Sequence, residues 1–463
     1  MSNTEILFLN SPTQLYPPSG REGSYETIPP IGLAYVATVA KSTGASVNLI
    51  DAEHEGLSPD QIVERVGREN PSILALNLMT PSVSITFEII RKILAQNHNI
   101  RLILGGPHAI LFPERTLTEL RDWSSNVLWI AIGEGEFPIK DFLNTGNPPR
   151  SNAAYFGSSG EIIIGNRELL PEEVLNDLIL DYSLLPEQGI HSRKEDGRKE
   201  AYVLTSRGCP YQCAYCAAAE VAGRKIRQRS PQSIRKELEI LRGLGVTHLR
   251  FVDDLFIISR KRNKEIAEVL KYLDYSFTWE ANGRANILAK FSPLDWDLLK
   301  QMGLEELEIG IESGSERILR LMRKEITPLD VEKTVTEALQ RGIKIKGFLM
   351  VGYPGETVDD LRQTIDLVGR LKKIGGDFIR FSPVPTKAYP GTPLASEFPQ
   401  LKGEFVCVSL GEDPILTSRT RYNAMHVLDG RPVALSELTG GASTEEVLEA
   451  LKQLIYISAG YSL

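Results

Sequence analysis

Cys209, Cys213 and Cys216 stand close together in the segment Arg207-Gly208-Cys209-Pro210-Tyr211-Gln212-Cys213-Ala214-Tyr215-Cys216. Thiolates spaced C-x3-C-x2-C are ligands for iron–sulfur chemistry or for zinc. A [4Fe-4S] cluster ordinarily takes four cysteines, so three leave one iron open to another molecule. Zinc wants four ligands, and no His or Cys lies within twenty residues downstream of Cys216 to complete the set. Buried free thiols are the remaining alternative. Cys407 stands alone and reads as an inert buried thiol.

Further along, short apolar runs end in small or charged residues. Phe251-Val252-Asp253-Asp254 and Gly310-Ile311-Glu312-Ser313-Gly314 read as strand ends with polar caps. Gly352-Tyr353-Pro354-Gly355-Glu356-Thr357 and Tyr389-Pro390-Gly391-Thr392-Pro393 read as turns. In this order behind the cysteines, these segments resemble the radical S-adenosylmethionine (SAM) superfamily. The resemblance implies that the amino and carboxylate groups of SAM occupy the open iron. An electron from the cluster would then break a carbon–sulfur bond to give a 5′-deoxyadenosyl radical. It also implies SAM contacts: Asp253 and Asp254 at the amino group, Glu312 and Ser313 at the ribose and carboxylate, and Gly352 where backbone approaches adenine. Arg284 and Arg380 are expected either on the SAM carboxylate or a substrate anion, or in surface ion pairs.

The amino-terminal part carries Pro29-Pro30-Ile31-Gly32-Leu33, Asp51, Thr80-Pro81, Gly105-Gly106-Pro107-His108 and Gly133-Glu134-Gly135-Glu136. This ordered set resembles the cobalamin-binding domain that precedes the barrel in one large radical SAM class. Cobalamin contacts are therefore expected at Pro30, Gly32, Asp51, Thr80, Gly105, Gly106, His108, Gly133, Glu134 and Gly135, the glycines admitting a bulky corrin close to the backbone. Asp51-Ala52-Glu53-His54-Glu55-Gly56 misses the D-x-H-x-x-G spacing of many cobalamin proteins by one residue. His54 is expected to be an exposed loop residue, with Leu78, Met79 or Thr80 facing cobalt instead.

The elements that must position these residues follow from periodicity. Ile6 to Leu9, Ser46 to Asp51, Ile73 to Leu78, Arg101 to Gly105 and Leu128 to Ile132 are apolar runs separated by helical segments, the pattern of a doubly wound parallel α/β sheet. Ligands on such sheets sit at the carboxyl ends of the strands. A second series comprises Tyr202 to Thr205, His248 to Val252, Phe277 to Glu280, Leu307 to Ile311, Lys346 to Val351 and Phe378 to Phe381, with helices expected over Ser230 to Leu244, Asn263 to Leu273 and Val358 to Leu371. Six such units predict a partial (β/α)6 barrel. The expected division is a cobalamin-binding-like α/β domain over 1–145, a linker over 146–199, a radical SAM partial barrel over 200–395 and a small C-terminal α+β unit over 396–463. Residues Arg421 to Tyr461 resemble small winged domains that capture peptide substrates; a packing cap is the plainer reading.

Composition sets outer bounds. A formal charge of −8, with basic stretches only at Arg224 to Arg229 and Arg260 to Lys264, argues against a nucleic-acid partner. No apolar run is long enough to span a bilayer, and the start Met1-Ser2-Asn3-Thr4-Glu5 lacks a secretory form, so a cytoplasmic location is expected. The resemblance implies three cofactors, a [4Fe-4S] cluster, SAM and cobalamin, together with an external electron donor. The leading expectation is methylation of an unactivated carbon in a small-molecule, lipid or peptide substrate. Cyclisation, ring contraction or rearrangement would use the same cofactors. The methylthiolating tRNA enzymes share this domain order but need a second cluster with three more cysteines, and only Cys407 is left over.

Overall fold

In the computed structural model, the described residues are 5–12, 28–192, 196–401, 405–411, 413–417 and 424–461. The start Met1 to Thr4, part of the winged-like segment and the side chain of Cys407 lie outside them. The chain forms two compact units, one of Met1–Tyr202 with Val221–Gly223 and Arg227–Leu241, the other of Val203–Glu220, Arg224–Ile226 and Arg242–Leu463.

In the first unit, five parallel strands form the heart of a sheet: β1 (Ile6–Asn10), β2 (Val47–Asp51), β3 (Ile73–Asn77), β4 (Arg101–Gly105) and β5 (Val127–Ala131). Ile6, Leu7, Phe8 and Leu9 are all buried, the continuous apolar run expected of a parallel strand covered on both faces. The spatial order is β2-β1-β3-β4-β5, so the direction of winding reverses between β1 and β3. Helices cover the sheet, among them Pro59–Glu69, whose start is set by a reciprocal capping box between Ser58 and Gln61 with proline at its first position. The stretch expected as a linker instead contains β6 (Ala153–Phe156) and β7 (Ile162–Ile164), which extend the sheet antiparallel beyond β5. Two further strands, β8 (Ile190–Ser192) and β9 (Lys199–Val203), form an antiparallel hairpin.

The second unit begins as β9 ends. After the short strand β10 (Ser206–Arg207), and after β11 (Arg227–Gln228), which belongs to the first unit, come β12 (His248–Phe251), β13 (Thr278–Gly283), β14 (Leu304–Glu312), β15 (Lys344–Val351) and β16 (Ile379–Pro385). Strands β12 to β16 pair in parallel and in sequence order, and Val252 N donates to Val203 O at 3.0 Å, next to β12. The first strand thus stops at Val203, two residues short of Thr205. One face of these strands is apolar, through residues such as Leu249, Trp279, Leu307, Ile309, Ile345 and Phe381. The alternate positions are charged and pair across strands: Lys346 with Glu308 at 2.6 Å, Arg380 with Glu306 at 2.5 Å, and Arg250 with Glu280. Because a one-residue slip would turn every one of these charges into the apolar layer, the alternation pins the register. Capping boxes at Ser292/Asp295, Thr327/Asp330 and Thr357/Asp360 start the helices between strands.

The C-terminal segment forms an antiparallel sheet of β17 (Phe405–Cys407), β18 (Ala424–Leu428) and β19 (Arg431–Val433), then the helix Thr444–Ser458. That helix docks on β16, where the Ser458 hydroxyl accepts from Phe381 N and donates to Phe381 O. No helix among the described residues is long and apolar enough to cross a membrane.

Candidate functional site

The cysteine loop leaves the sheet through Thr205 and Ser206 and is tied down at both ends. Gly208, at φ +98°, turns the chain, and its N–H donates to Asp254 Oδ2 at 2.8 Å. Ala214 N donates to Met322 O and Ala214 O accepts from Leu394 N, both at 2.9 Å. Cys213 is buried, and Cys209 and Cys216 are partly buried. Burial pushes the thiols of Cys209 and Cys216 up; Cys213 raises Cys209 further, and Cys213 and Cys209 both raise Cys216, so the three share one electrostatic site. A positive iron–sulfur core would relieve that cost, since thiolates are its ligands. The donor set on this loop fits a cluster with one open iron.

Arg284, directly after β13, reaches this loop. Its Nη1 lies 3.4 Å from Cys213 Sγ, and its guanidinium sits 3.5 Å from the centroid of the Tyr211 ring. Its Nη2 donates to Lys324 O. Arg380, by contrast, is half exposed and spends its charge on Glu306.

Glu312 ends β14 at φ +61°, a conformation uncommon for a residue with a side chain, where the β14–β15 register shifts. Its carboxylate meets Lys324 Nζ (2.7 Å) and the Tyr215 hydroxyl (2.9 Å), with Lys324 Nζ 3.1 Å from the same hydroxyl. Gly310 leaves room for the pair: a Cβ there would stand 2.3 Å from Glu312 Oε1 and 2.4 Å from Lys324 Nζ. Strained backbone held by its surroundings is a recurring feature of functional sites.

Other residues expected at SAM have partners within the protein. Asp253 is buried, and its carboxylate accepts from Thr205 N, Thr205 Oγ1 and Ser206 Oγ, each at 2.6 Å, so it clamps the start of the cysteine loop and is not open to a ligand amino group. Burial nevertheless pushes its pKa up to about 6, outweighing those bonds. Asp254 is exposed and holds Gly208. The Ser313 hydroxyl is buried against Thr364 (3.1 Å) in the helix Val358–Gly375 and accepts from Ser315 N. Gly352, at φ +77°, faces Val447 and Ala434, and the 352–356 turn is stitched to the C-terminal segment by Ser436 N to Gly352 O and Ala442 N to Glu356 O. This glycine permits a close approach to Val447, in the helix Thr444–Ser458, and to Ala434. Tyr389 to Pro393 is a turn, with Thr392 capping Pro393–Ser396.

In the first unit, polar side chains cross the carboxyl ends of three strands. Asn10 Nδ2 donates to Asp51 Oδ1 (2.8 Å), and Asn77 Nδ2 donates to Asn10 Oδ1 (3.3 Å). This row spans the β1/β3 reversal, where doubly wound sheets bind ligands. Beside it, two buried polar atoms have no partner among the described residues: Ser11 Oγ, and Nε2 of His108, whose other ring nitrogen meets Thr80 Oγ1 at 3.3 Å. Orphaned buried donors and acceptors are costly unless a ligand satisfies them. Gly32 is exposed, with open space where a Cβ would be, and Pro30 precedes its helix. These residues fit a large polar cofactor laid on the strand ends.

The remaining residues expected at cobalamin also have close neighbours within the protein. Gly106, at φ +98°, lies against Asn77, and Gly105 against Ala131. Gly133 lies against Asn152 and Gly135 against Val36. Buried Glu134 pairs with Arg227 (2.6 Å) and accepts from Leu170 N (2.6 Å). His54 lies in the helix Ala52–Glu55 and is half-buried rather than an exposed loop residue; Leu78 is buried, and Met79 is exposed. Tyr211, Tyr215 and Lys324 escaped the sequence reading as site residues. The aromatic pair carried a signal in lying between the cysteines, whereas nothing local marks Lys324.

Two family models match: the radical SAM superfamily over residues 203–368, and the B12 binding domain over residues 23–143. The chain is 29% identical over 373 residues to an uncharacterized methyltransferase of Pyrococcus horikoshii, covering 80% of this chain and 78% of that one. It is 25% identical to the anaerobic magnesium-protoporphyrin IX monomethyl ester cyclase of Rubrivivax gelatinosus, over 77% of this chain and 65% of the relative's length. In fold it is similar to the radical SAM methyltransferase TsrM from Kitasatospora setae, solved with cobalamin and a [4Fe-4S] cluster: TM-score 0.68, 17% identity, covering 98% of this chain and 89% of that one. With both domains matched in this order around the cysteine loop and the strand-end site, the chain belongs to the radical SAM enzymes that carry a B12-binding domain, and its cofactors are SAM, a [4Fe-4S] cluster and cobalamin.

Proposed function

We propose that this enzyme methylates an unactivated carbon of an organic substrate, in the cytoplasm and with an external low-potential electron donor. The observation that carries the reading is that one chain holds both a three-cysteine loop, backed by Arg284 and the Glu312–Lys324 pair, and a strand-end site with polar atoms that lack partners among the described residues. The methyltransferase relative supports methyl transfer over other outcomes. When bound, the cluster supplies an electron for cleaving SAM and the cobalamin supplies a methyl carrier.

The chain's own residues bind and orient. Cys209, Cys213 and Cys216 hold the cluster. Glu312 and Lys324 present a fixed carboxylate and ammonium to the amino and carboxylate groups or the ribose of SAM, and Asp254 shapes the loop through Gly208. Ser11, Asn10, Asn77, Thr80 and His108 hold cobalamin at the strand ends, beside Pro30 and Gly32.

The test is anaerobic reconstitution with iron, sulfide and hydroxocobalamin, followed by mass spectrometry of SAM products under reducing conditions. Methyl transfer requires 5′-deoxyadenosine together with S-adenosylhomocysteine. Deoxyadenosine alone, with substrate present, would instead favour cyclisation, the activity named for one relative. No deoxyadenosine above a Cys213→Ala control would overturn the radical reading.

A further inference from the structure

Every nitrogen of the Arg284 guanidinium has a partner. Nε faces Asn286 Oδ1 at 3.4 Å, Nη2 donates to Lys324 O, and Nη1 reaches Cys213 Sγ at 3.4 Å. The flat face of the group rests on Tyr211, 3.5 Å from the ring centroid. Arg284 is only 7% exposed, so solvent and salt screen its charge weakly. Lys324, whose carbonyl holds it, is fixed in turn by Glu312 and the Tyr215 hydroxyl. This amounts to a permanently charged, preoriented donor aimed at one cysteine sulfur.

We propose that Arg284 is a positioning residue that sets the reduction potential of the cluster through Cys213, with Tyr211 holding the guanidinium in plane. The proposal rests on reading the three cysteines as cluster ligands. Hydrogen bonds to the sulfurs, net charge and solvent exposure are what set the potential of an iron–sulfur centre. The step concerned is uptake of one electron: an external low-potential donor is oxidised by one electron, and [4Fe-4S]2+ becomes [4Fe-4S]+. No bond forms or breaks at Arg284, and its proton stays in place. The reduced cluster carries one more negative charge, so a buried cation on Cys213 Sγ favours it over the oxidised form and raises the potential. A charge-assisted hydrogen bond is about twice as strong as a neutral one, which makes this a large lever for a single side chain.

The full chain, reconstituted anaerobically, tests this by an EPR-monitored redox titration alongside iron and sulfide content and the KM for SAM. Arg284→Met is expected to keep its iron and sulfide but to lower the ratio of reduced to oxidised cluster at a given solution potential by about tenfold, or about 59 mV for a one-electron couple. Arg284→Lys, which keeps the charge without the fork, and Tyr211→Leu, which removes the supporting ring, are expected to shift in the same direction by less. Should Arg284→Met fail to hold iron, the other two variants decide the matter. Unchanged potentials with a raised KM for SAM would overturn the proposal and make Arg284 a SAM carboxylate ligand. A wild-type chain that binds no cluster would refute the cysteine reading instead, a separate and visible failure.

Discussion

Lys324 Nζ lies 2.7 Å from Glu312 Oε1, both side chains are buried, and the two meet the Tyr215 hydroxyl between Cys213 and Cys216. The strand end, the loop after the helix Glu316–Leu321 and the cysteine loop thereby share one polar junction. Removing one partner leaves a buried charge uncompensated. Lys324→Met is therefore expected to destabilise the chain by about 3 kcal/mol, while the double variant Lys324→Met with Glu312→Gln recovers part of that loss. Chemical denaturation of the four members of this cycle measures it, and additive losses would show that the pair is not coupled.

Asp253 links the cysteine loop to β12 and titrates within reach of ordinary buffers. Its folded pKa of about 6 lies above the ordinary value of 3.8, so the folded state holds the proton more tightly. Stability from this group is fully present below 3.8, is lost as pH rises toward about 6 and is constant above. Asn at this position still accepts from Thr205 N and donates to the hydroxyls, so Asp253→Asn should flatten that stretch of the stability–pH curve. Asp253→Ala orphans the Thr205 N–H and should cost about 1–3 kcal/mol.

His108 offers a direct check on the strand-end site. Its Nε2 is buried without a partner among the described residues, so a cofactor that satisfies it gains a hydrogen bond worth about 1–1.5 kcal/mol. His108→Ala is expected to weaken hydroxocobalamin binding by about tenfold, read by equilibrium dialysis with visible absorbance. Unchanged affinity would place the cofactor away from this ring.

Gly352 tests the role of the 352–356 turn. Its φ of +77° and its contacts with Val447 and Ala434 leave no room for a side chain without strain. Gly352→Ala should cost about 1 kcal/mol or more and loosen the helix Thr444–Ser458, seen as faster amide exchange there. A contact with adenine would instead raise the KM for SAM without altering exchange.

Much of the architecture was legible because it is written in short-range patterns. Apolar runs such as Ile6 to Leu9 and the alternation of Leu307, Glu308 and Ile309 mark strands, and Thr327-Pro328-Leu329-Asp330 marks a helix start. The cysteine spacing lies within one loop and needed no fold to be read. The hairpin of β6 and β7 was hidden because its apolar runs are brief and set among Gly, Asn and Pro.

By itself, then, the sequence determined the α/β class, most of the strand and helix runs and the three thiols, since each depends on residues within a few positions of one another. Only the tertiary structure decided what the neighbours of those residues do. Asp253 proved to be a clamp on Thr205, forty-eight residues away, and Glu134 a partner of Arg227, ninety-three away. Arg284, from the end of β13, and Lys324, from the loop after the helix Glu316–Leu321, meet the cysteine loop from different parts of the chain. Such contacts close long loops, and the side chain that fills each position is chosen by three-dimensional packing, for which no local spacing stands as a sign.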